Sequence, residues 1–294
     1  MDLGFQGGFE FLGINYPKHS TEFLWANEIN KEATKTYNAN FDHEIVNGDI
    51  WQLISQMPSD CDVLLGGFPC QDISINNIRA RGVDGERSGL YRAMVEAIKV
   101  AKPKVFVAEN VKALFFKNNA KSLETLKRDF GKLGYNLDVS LYNAADYGVP
   151  QTRERVLIIG TRDRPMKRIA PTLEKTNWVT ASAAIDDLKD KERDEEFAHI
   201  WSYANRSPHQ GDRRLKMDRP GYTIRAECHG NIQFHYELNR RISMREAARI
   251  QSFPDNFKFV SKLRETERQI GNAVPPVFAW YVANHLLKHL DDSS

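Results

Sequence analysis

A chain of 294 residues is long enough to bury one large core and a smaller second one. Hydrophobic residues make up 41% and charged residues 27%, which excludes a disordered or fibrous chain, and a net charge of +2 neither demands nor forbids a nucleic-acid partner. The three cysteines, Cys61, Cys70 and Cys228, make no disulfide framework and fit a reducing cytoplasm; no Cys/His cluster has zinc-ligand spacing, no apolar run has membrane-span length, and the start has no signal-peptide pattern.

In chain order, Phe23-Leu24-Trp25-Ala26 reads as a strand and residues 31–37 as a helix. Val63-Leu64-Leu65 reads as a buried parallel strand. Residues 90–100 read as a helix stopped before Pro103, and residues 105–108 as a strand. A helix over 122–130 ends near Gly131 and Gly134, and strands follow over 137–142 and 156–159. This alternation predicts an α/β fold with a doubly wound, mostly parallel sheet and helices on both faces. After Gly160 the chain turns polar as far as about residue 239. Its mixed-charge run, residues 189–196, reads as a solvated helix face or loop. Ser243 with Glu246 three residues on forms a capping box for a helix that ends before Pro254, and residues 277–290 form an amphipathic helix. No internal repeat or low-complexity segment is present.

Chemistry concentrates where these strands end. Gly66-Gly-Phe-Pro-Cys-Gln-Asp-Ile-Ser74 puts a thiol on the loop leaving a strand, at the carboxyl edge where α/β sheets bind ligands. Taken alone, a cysteine is more often a small buried hydrophobe, and Cys61 and Cys228 are read that way. Glu109 and Asn110 follow the next apolar run; alone, Glu109 reads equally as a helix cap. Arg153 and Arg155 alternate at the start of a strand and so point the same way; alone, they read equally as a charged strand edge. Glu28 follows Trp25-Ala26-Asn27, where a carboxylate can bind ribose hydroxyls. Asp49 lies in Asn47-Gly48-Asp49-Ile50, and each acid reads equally as an exposed helix cap.

Pro69-Cys70-Gln71, Glu109-Asn110-Val111, Gln151-Thr152-Arg153-Glu154-Arg155 and Gln269-Ile270-Gly271-Asn272-Ala273-Val274-Pro275-Pro276, in this order, closely resemble the DNA cytosine-5 methyltransferases of bacterial restriction-modification systems. The likeness spans nearly the whole chain. It implies an S-adenosylmethionine-dependent, Rossmann-like catalytic domain (1–175 plus 270–294) and a smaller target-recognition domain (176–269). Cys70 is then the nucleophile toward carbon 6 of a cytosine, which must be flipped out of the duplex. Glu109 bonds ring nitrogen 3 and the exocyclic amine, Arg155 holds the carbonyl oxygen, and Arg153 orients the nucleophile or the flipped base. Glu28 takes the cofactor's ribose and Asp49 its adenine amine. Ile29 and Ile50 pack on the adenine, and Pro69, Leu90 and Asn272 line the methionine end. Gln71 and Ser74 lie on the loop facing DNA, and residues 72–88 are expected to form a mobile loop that closes over it.

Target recognition is expected between Arg155 and Ser243. Its second half is basic, with Arg206, Arg213, Arg214, Lys216, Arg219 and Arg225. Arginines there supply phosphate contacts. Tyr222-Thr223-Ile224 resembles the Thr-Leu or Thr-Ile pair of family recognition regions, whose threonine helps grip the backbone, and Arg225, His229 and Asn231 follow on a loop suited to reading bases. The implied partner is double-stranded DNA, with a cognate restriction endonuclease acting in the same system, no membrane, a cytoplasmic location and a monomeric state unless a second polypeptide completes the fold. Two alternatives stand beside this: an RNA cytosine-5 methyltransferase of the same fold, against which residues 245–254 resemble the DNA enzymes, and a catalytically impaired DNA-binding subunit. The second is raised by one departure. The family opens with a strand and a Phe-x-Gly-x-Gly turn, whereas Met1-Asp2-Leu3-Gly4-Phe5 matches the helix after that turn. A late start codon, a truncation or a complementing chain each explains this. The expectation is that residues 1–294 alone bind the cofactor poorly and are marginally stable.

Overall fold

The computed structural model describes residues 1–68, 89–203, 213–226 and 233–292. A short helix α1 (Asp2–Gln6) leads into an antiparallel hairpin of β1 (Phe9–Phe11) and β2 (Ile14–Tyr16). Next come β3 (Asn27–Glu28), α2 (Lys31–Asn38), β4 (Val46–Asn47) and α3 (Ile50–Leu53), with β3 and β4 paired in parallel. The Asn30 side chain caps α2 by accepting from the amides of Glu32 and Ala33, and Asp49 caps α3 by accepting from Trp51. The main sheet contains β5 (Val63–Gly67), β6 (Val105–Val111), β7 (Asn136–Asn143) and β8 (Glu154–Thr161) in the order β5-β6-β8-β7. Helix α4 (Leu90–Ala101) crosses from β5 to β6, and α5 (Ala120–Gly131) from β6 to β7.

Helices cover both faces of this sheet. On one, Tyr91, Met94 and Ile98 of α4 and Leu126 and Phe130 of α5 pack on Phe106, Ala108, Val156 and Ile158. On the other, Phe5 of α1 and Val277, Phe278 and Val282 of the last helix pack on Val105, Val107, Leu157 and Ile159. The period-two alternation of β6 and β8 therefore feeds two layers at once. A further core gathers α6 (Ala181–Ile185), α7 (Met244–Ile250) and the start-to-end face of α8 (Leu263–Asn272) around Leu215, Ile224, Phe253 and Phe257, and Phe41 joins it from the first part of the chain. Ser243 and Glu246 form the expected reciprocal capping box on α7. The chain closes with α9 (Pro276–Asp291), which starts on Pro276 as its first helical residue.

Three expectations need correction. The segment Phe23 to Ala26 is not a strand; the strand is Asn27–Glu28. Its apolar residues are used for packing instead: Phe23 stacks on His43 with ring centroids 4.5 Å apart, and Trp25 packs beside α4. Val63, Leu64 and Leu65 are only partly buried. Among the described residues β5 has a ladder partner on one side alone, and β3 likewise pairs only with β4, so the parallel strands fall into two separate sheets. The main sheet is also mixed. Strands β5 and β6 are parallel, but β8 runs antiparallel to both neighbours, because β7 returns to it through a short connection that cannot make a parallel crossover. The charged run at 189–196 is turn and loop, mostly exposed.

Candidate active site

The two apolar rows facing α1 and α9 become polar at one end of the sheet. Along β6 the row runs Val105, Val107, Glu109; along β8 it runs Ile159, Leu157, Arg155. In the antiparallel register Glu109 faces Leu157 and Val111 faces Arg155, so Glu109 and Arg155 are diagonal neighbours on one face. Glu109 Oε1 lies 2.7 Å from Arg155 Nε, with both side chains largely but not fully buried. Burial pulls the Arg155 guanidinium below its ordinary range, and the adjacent Glu109 carboxylate opposes that pull. Arg155 Nη1 donates to the carbonyl of Glu154 at 2.8 Å. The result is a carboxylate beside a guanidinium at a partly open strand edge, suited to a flat ligand with adjoining donors and acceptors.

Asn110 sits between these groups and the loop after β5. Its side chain is 1% exposed, and Nδ2 donates to the carbonyl of Phe68 at 2.9 Å while Oδ1 accepts from the amide of Val111 at 2.8 Å. The residue before Pro69-Cys70 is thus tied to the strand that carries Glu109. Sequence reasoning gave Asn110 no task. The available signal was an amide side chain inside an otherwise apolar run, which demands a partner.

Arg153 is placed differently from Arg155. It is 1% exposed and donates from Nη1 to the carbonyl of Ile224 at 2.8 Å, and from Nη2 to those of Gly271 at 2.8 Å and Ala273 at 3.0 Å. Burial, aided by the like charge of Arg155, draws it down to about 9, so it remains a cation at neutral pH. Its donors go to backbone, which makes it a strut joining β8, the 221–226 segment and the end of α8. Neighbouring bonds reinforce that junction. Gln151, fully buried, accepts from the amide of Ile224 at 2.9 Å and donates to the carbonyl of Ile250 at 3.2 Å. Thr223 Oγ1 donates to the carbonyl of Thr152 at 2.7 Å, and Thr152 donates back to Gly221. Its place in the sequence likewise gives Gln151 no task.

The expected cofactor residues lie at the ends of β3 and β4. Glu28 pairs in register with Asn47, two residues before Asp49. Each acid spends one oxygen locally: Glu28 Oε1 accepts from the amide of Asn30 at 2.7 Å, and Asp49 Oδ1 from that of Trp51 at 3.0 Å. Ile29 is 68% exposed, an unusual state for isoleucine, while Ile50 is partly buried. Leu90 opens α4 and is exposed, and Asn272 ends α8 exposed. Two carboxylates, each with an oxygen that accepts no bond among the described residues, and an exposed branched side chain beside them fit a nucleoside: acceptors for a diol and an amine, and an apolar face for a base.

Among the expected DNA contacts, Arg225 is exposed next to Thr223. Arg214 instead donates from Nη1 to the carbonyl of Tyr236 at 3.2 Å, which bridges two backbone segments, and Arg213 is partly buried beside it. Pro69, Cys70, Gln71, Ser74, Arg206, His229, Asn231 and the loop 72–88 lie outside the described residues. Among the described residues no group of three His, Cys, Asp or Glu side chains is placed to hold a metal ion, and no helix is long and apolar enough to cross a membrane.

The fold and site together define an α/β protein with helices on both faces of its sheet and a carboxylate–guanidinium pair at adjoining strand ends. The family model for C-5 cytosine-specific DNA methylases matches residues 4–217 and 201–288, and the chain belongs to that family. It is therefore a methyltransferase acting on cytosine in DNA. Its curated relatives include the type II methyltransferase M.NgoFVII of Neisseria gonorrhoeae, 35% identical, with 96% of this chain and 85% of the relative covered. Another is type II methyltransferase M1.HphI of Haemophilus parahaemolyticus, 31% identical, with 97% and 84% covered. The fold is shared with a DNA modification methyltransferase encoded within an E. coli prophage, with a TM-score of 0.71, 22% identity and 92% and 94% of the two chains covered. It is shared also with the S. pombe Dnmt2 methyltransferase, with a TM-score of 0.69, 19% identity and 92% and 93% covered.

Proposed function

We propose that the chain methylates carbon 5 of one cytosine in a specific duplex sequence, through a covalent adduct on Cys70 and with the base flipped out, as the modification enzyme of a type II restriction system. The observation that carries this reading is the Glu109–Arg155 pair at 2.7 Å, on the strand whose Asn110 holds the Phe68 carbonyl just ahead of Pro69-Cys70. The Cys70 thiolate adds to carbon 6 as its S–C bond forms. The electron pair displaced from the ring moves toward nitrogen 3, where Glu109 supplies a proton, leaving an enamine that is nucleophilic at carbon 5. Arg155 bonds the carbonyl oxygen and stabilises the charge that gathers there. After methylation, loss of the proton from carbon 5 returns the electron pair, breaks the S–C bond and releases the thiolate. Arg153 positions these groups through the backbone it joins.

The methyl donor would be S-adenosylmethionine, whose sulfonium makes the methyl group electrophilic. Glu28 would hold its ribose, Asp49 its adenine amine, and Ile29 and Ile50 the faces of its base, with Leu90, Asn272 and Pro69 toward its methionine end. Residues 1–175 and 270–294 would form the catalytic part and 176–269 the recognition part, in which Thr223 helps grip the backbone and Arg225, His229 and Asn231 would read the bases. Arg213, Gln71 and Ser74 belong to the same DNA face. The protein would act in the cytoplasm, as a monomer unless a second polypeptide completes its fold, beside an endonuclease that cuts the same sequence when unmodified.

A duplex carrying 5-fluorocytosine tests the chemistry, because fluorine blocks the final proton loss. With S-adenosylmethionine present, a stable adduct mapping to Cys70 is expected, and Cys70→Ser should abolish it while leaving DNA binding. An adduct on Cys61 or Cys228, or one formed equally on single-stranded RNA, overturns the reading.

A further inference from the structure

The strand that carries Glu109 continues into a surface that the chemistry above does not use. Val111, which faces Arg155 in register, is 38% exposed, and the turn after it exposes Phe115 at 38% and Phe116 at 56%. Two successive large aromatic side chains partly exposed to solvent are costly unless something covers them. They are not loose. Leu114 between them and the strand is fully buried among Phe68, Phe106 and Phe130, and Asn119 Nδ2 donates to the carbonyl of Ala113 at 2.7 Å, which closes the turn. The rings are therefore held outward by an anchored backbone.

Charge gives the occupant. The segment reads Val111-Lys112-Ala113-Leu114-Phe115-Phe116-Lys117-Asn118-Asn119-Ala120-Lys121, with three lysines and no acidic residue. Lys112 pairs with Glu154 at 2.7 Å, which fixes this segment to β8 one residue from Arg155. Lys117 and Lys121 are exposed and make no ion pair among the described residues. Aromatic rings interleaved with free ammonium groups match a polyanion that also offers flat apolar faces, and a protein surface of matching charge would need an acidic face of its own.

We propose that residues 111–121 form a second DNA-contacting surface outside the recognition region. Phe115 and Phe116 lie against sugars and base edges next to the target cytosine, and Lys117 and Lys121 lie on the flanking phosphates. This rests on the reading of Glu109 and Arg155 as the catalytic edge, which fixes where the target base sits. The surface makes the enzyme sensitive to the bases flanking its recognition sequence, because a wedge of rings favours easily unstacked steps.

The test uses residues 1–294 and a duplex first shown to accept labelled methyl groups from S-adenosylmethionine. The Phe115→Ala/Phe116→Ala variant should bind that duplex about tenfold more weakly, as expected for lost base–aromatic contact. Lys117→Ala/Lys121→Ala should lower the slope of log affinity against log salt by about 1.8, for two lost phosphate contacts. Both pairs are exposed, so melting temperatures should match the parent, and Phe116→Trp should keep affinity. Unchanged affinity and salt slope in both double variants, with the parent still methylating DNA, overturn this proposal alone. A changed sedimentation coefficient with unchanged DNA affinity also overturns it and assigns the surface to a second copy of the chain. A folded parent that methylates no duplex even at saturating S-adenosylmethionine overturns the functional reading and this one together.

Discussion

Arg153 and Arg155 are two residues apart and chemically identical, yet the structure gives them opposite duties, which a pair of substitutions separates. Arg153→Met keeps most of the side chain's volume but leaves the carbonyls of Ile224, Gly271 and Ala273 without their donor. A hydrogen bond from a charged donor contributes ~1.5–3 kcal/mol, and part of the loss is returned because a buried cation no longer has to be desolvated. A net loss of about 3–5 kcal/mol follows, equivalent to a fall in melting temperature of roughly 5–8 °C for a chain of this size. Arg155→Met leaves the largely buried Glu109 carboxylate without its partner and should cost about 1–3 kcal/mol of stability, less than the loss of three buried backbone bonds. Its effect on catalysis is the larger one. Losing a group that stabilises developing charge lowers turnover about 10²–10³-fold. Thermal unfolding followed by circular dichroism and labelled methyl transfer to duplex DNA give the two readouts. If Arg153→Met melts like the parent while losing all turnover, Arg153 contacts the base or the thiol directly, and the strut argument fails.

Burial raises the Glu267 carboxyl to about 7. The folded value lies above the unfolded one, so the neutral acid stabilises the protein fully below pH 4.5, and that contribution, on the order of 3 kcal/mol, fades as pH rises to about 7. Glu267→Gln should remove this slope between pH 5 and 7 in urea titrations; an unchanged slope assigns it to other groups. A Cβ added at Gly271 would overlap the backbone of Arg225 and Ala226, so Gly271→Ala should displace Arg225 and weaken specific DNA binding more than non-specific binding. Equal losses on both DNAs would show that Arg225 reads no base. Gly160→Ala pushes into the buried ring of Phe106 and should cost about 1–3 kcal/mol in stability with little change in KM; a large KM effect would mean that strain at β8 reaches the strand end. Asn110→Ala frees the Phe68 carbonyl and should lower adduct formation at Cys70 without changing DNA affinity, measured by trapping with 5-fluorocytosine. An equal drop in affinity would place Asn110 in the DNA contact instead.

Much of this was legible along the chain. Strands β6 and β8 announce themselves because both faces are buried, so each is a continuous apolar run whose end is marked by the first charged residue, Glu109 or Arg155. The capping box at Ser243 is local, set by residues three apart, and it appears where the spacing puts it. The short β3 was misplaced because Phe23 and Trp25 are apolar for reasons of packing, which a pattern of hydrophobicity cannot tell from pairing.

Reading the residues in order determined which chemistry is present: a thiol, a carboxylate and two guanidiniums, each at the end of an apolar run. Only the tertiary structure decided how the guanidiniums divide their work. Arg153 and Arg155 carry the same charge at the same spacing, and their difference arises from what surrounds them. Ile224, Gly271 and Ala273 come from segments some 70 to 120 residues further along, and their carbonyls close on Arg153 because α8 and the 221–226 segment pack there. The partner of Asn110 is the backbone of Phe68, just past the end of the neighbouring strand. A side chain's donors are satisfied by whatever the fold brings within about 3 Å, and that distance is fixed by packing across the chain, where no local pattern reaches.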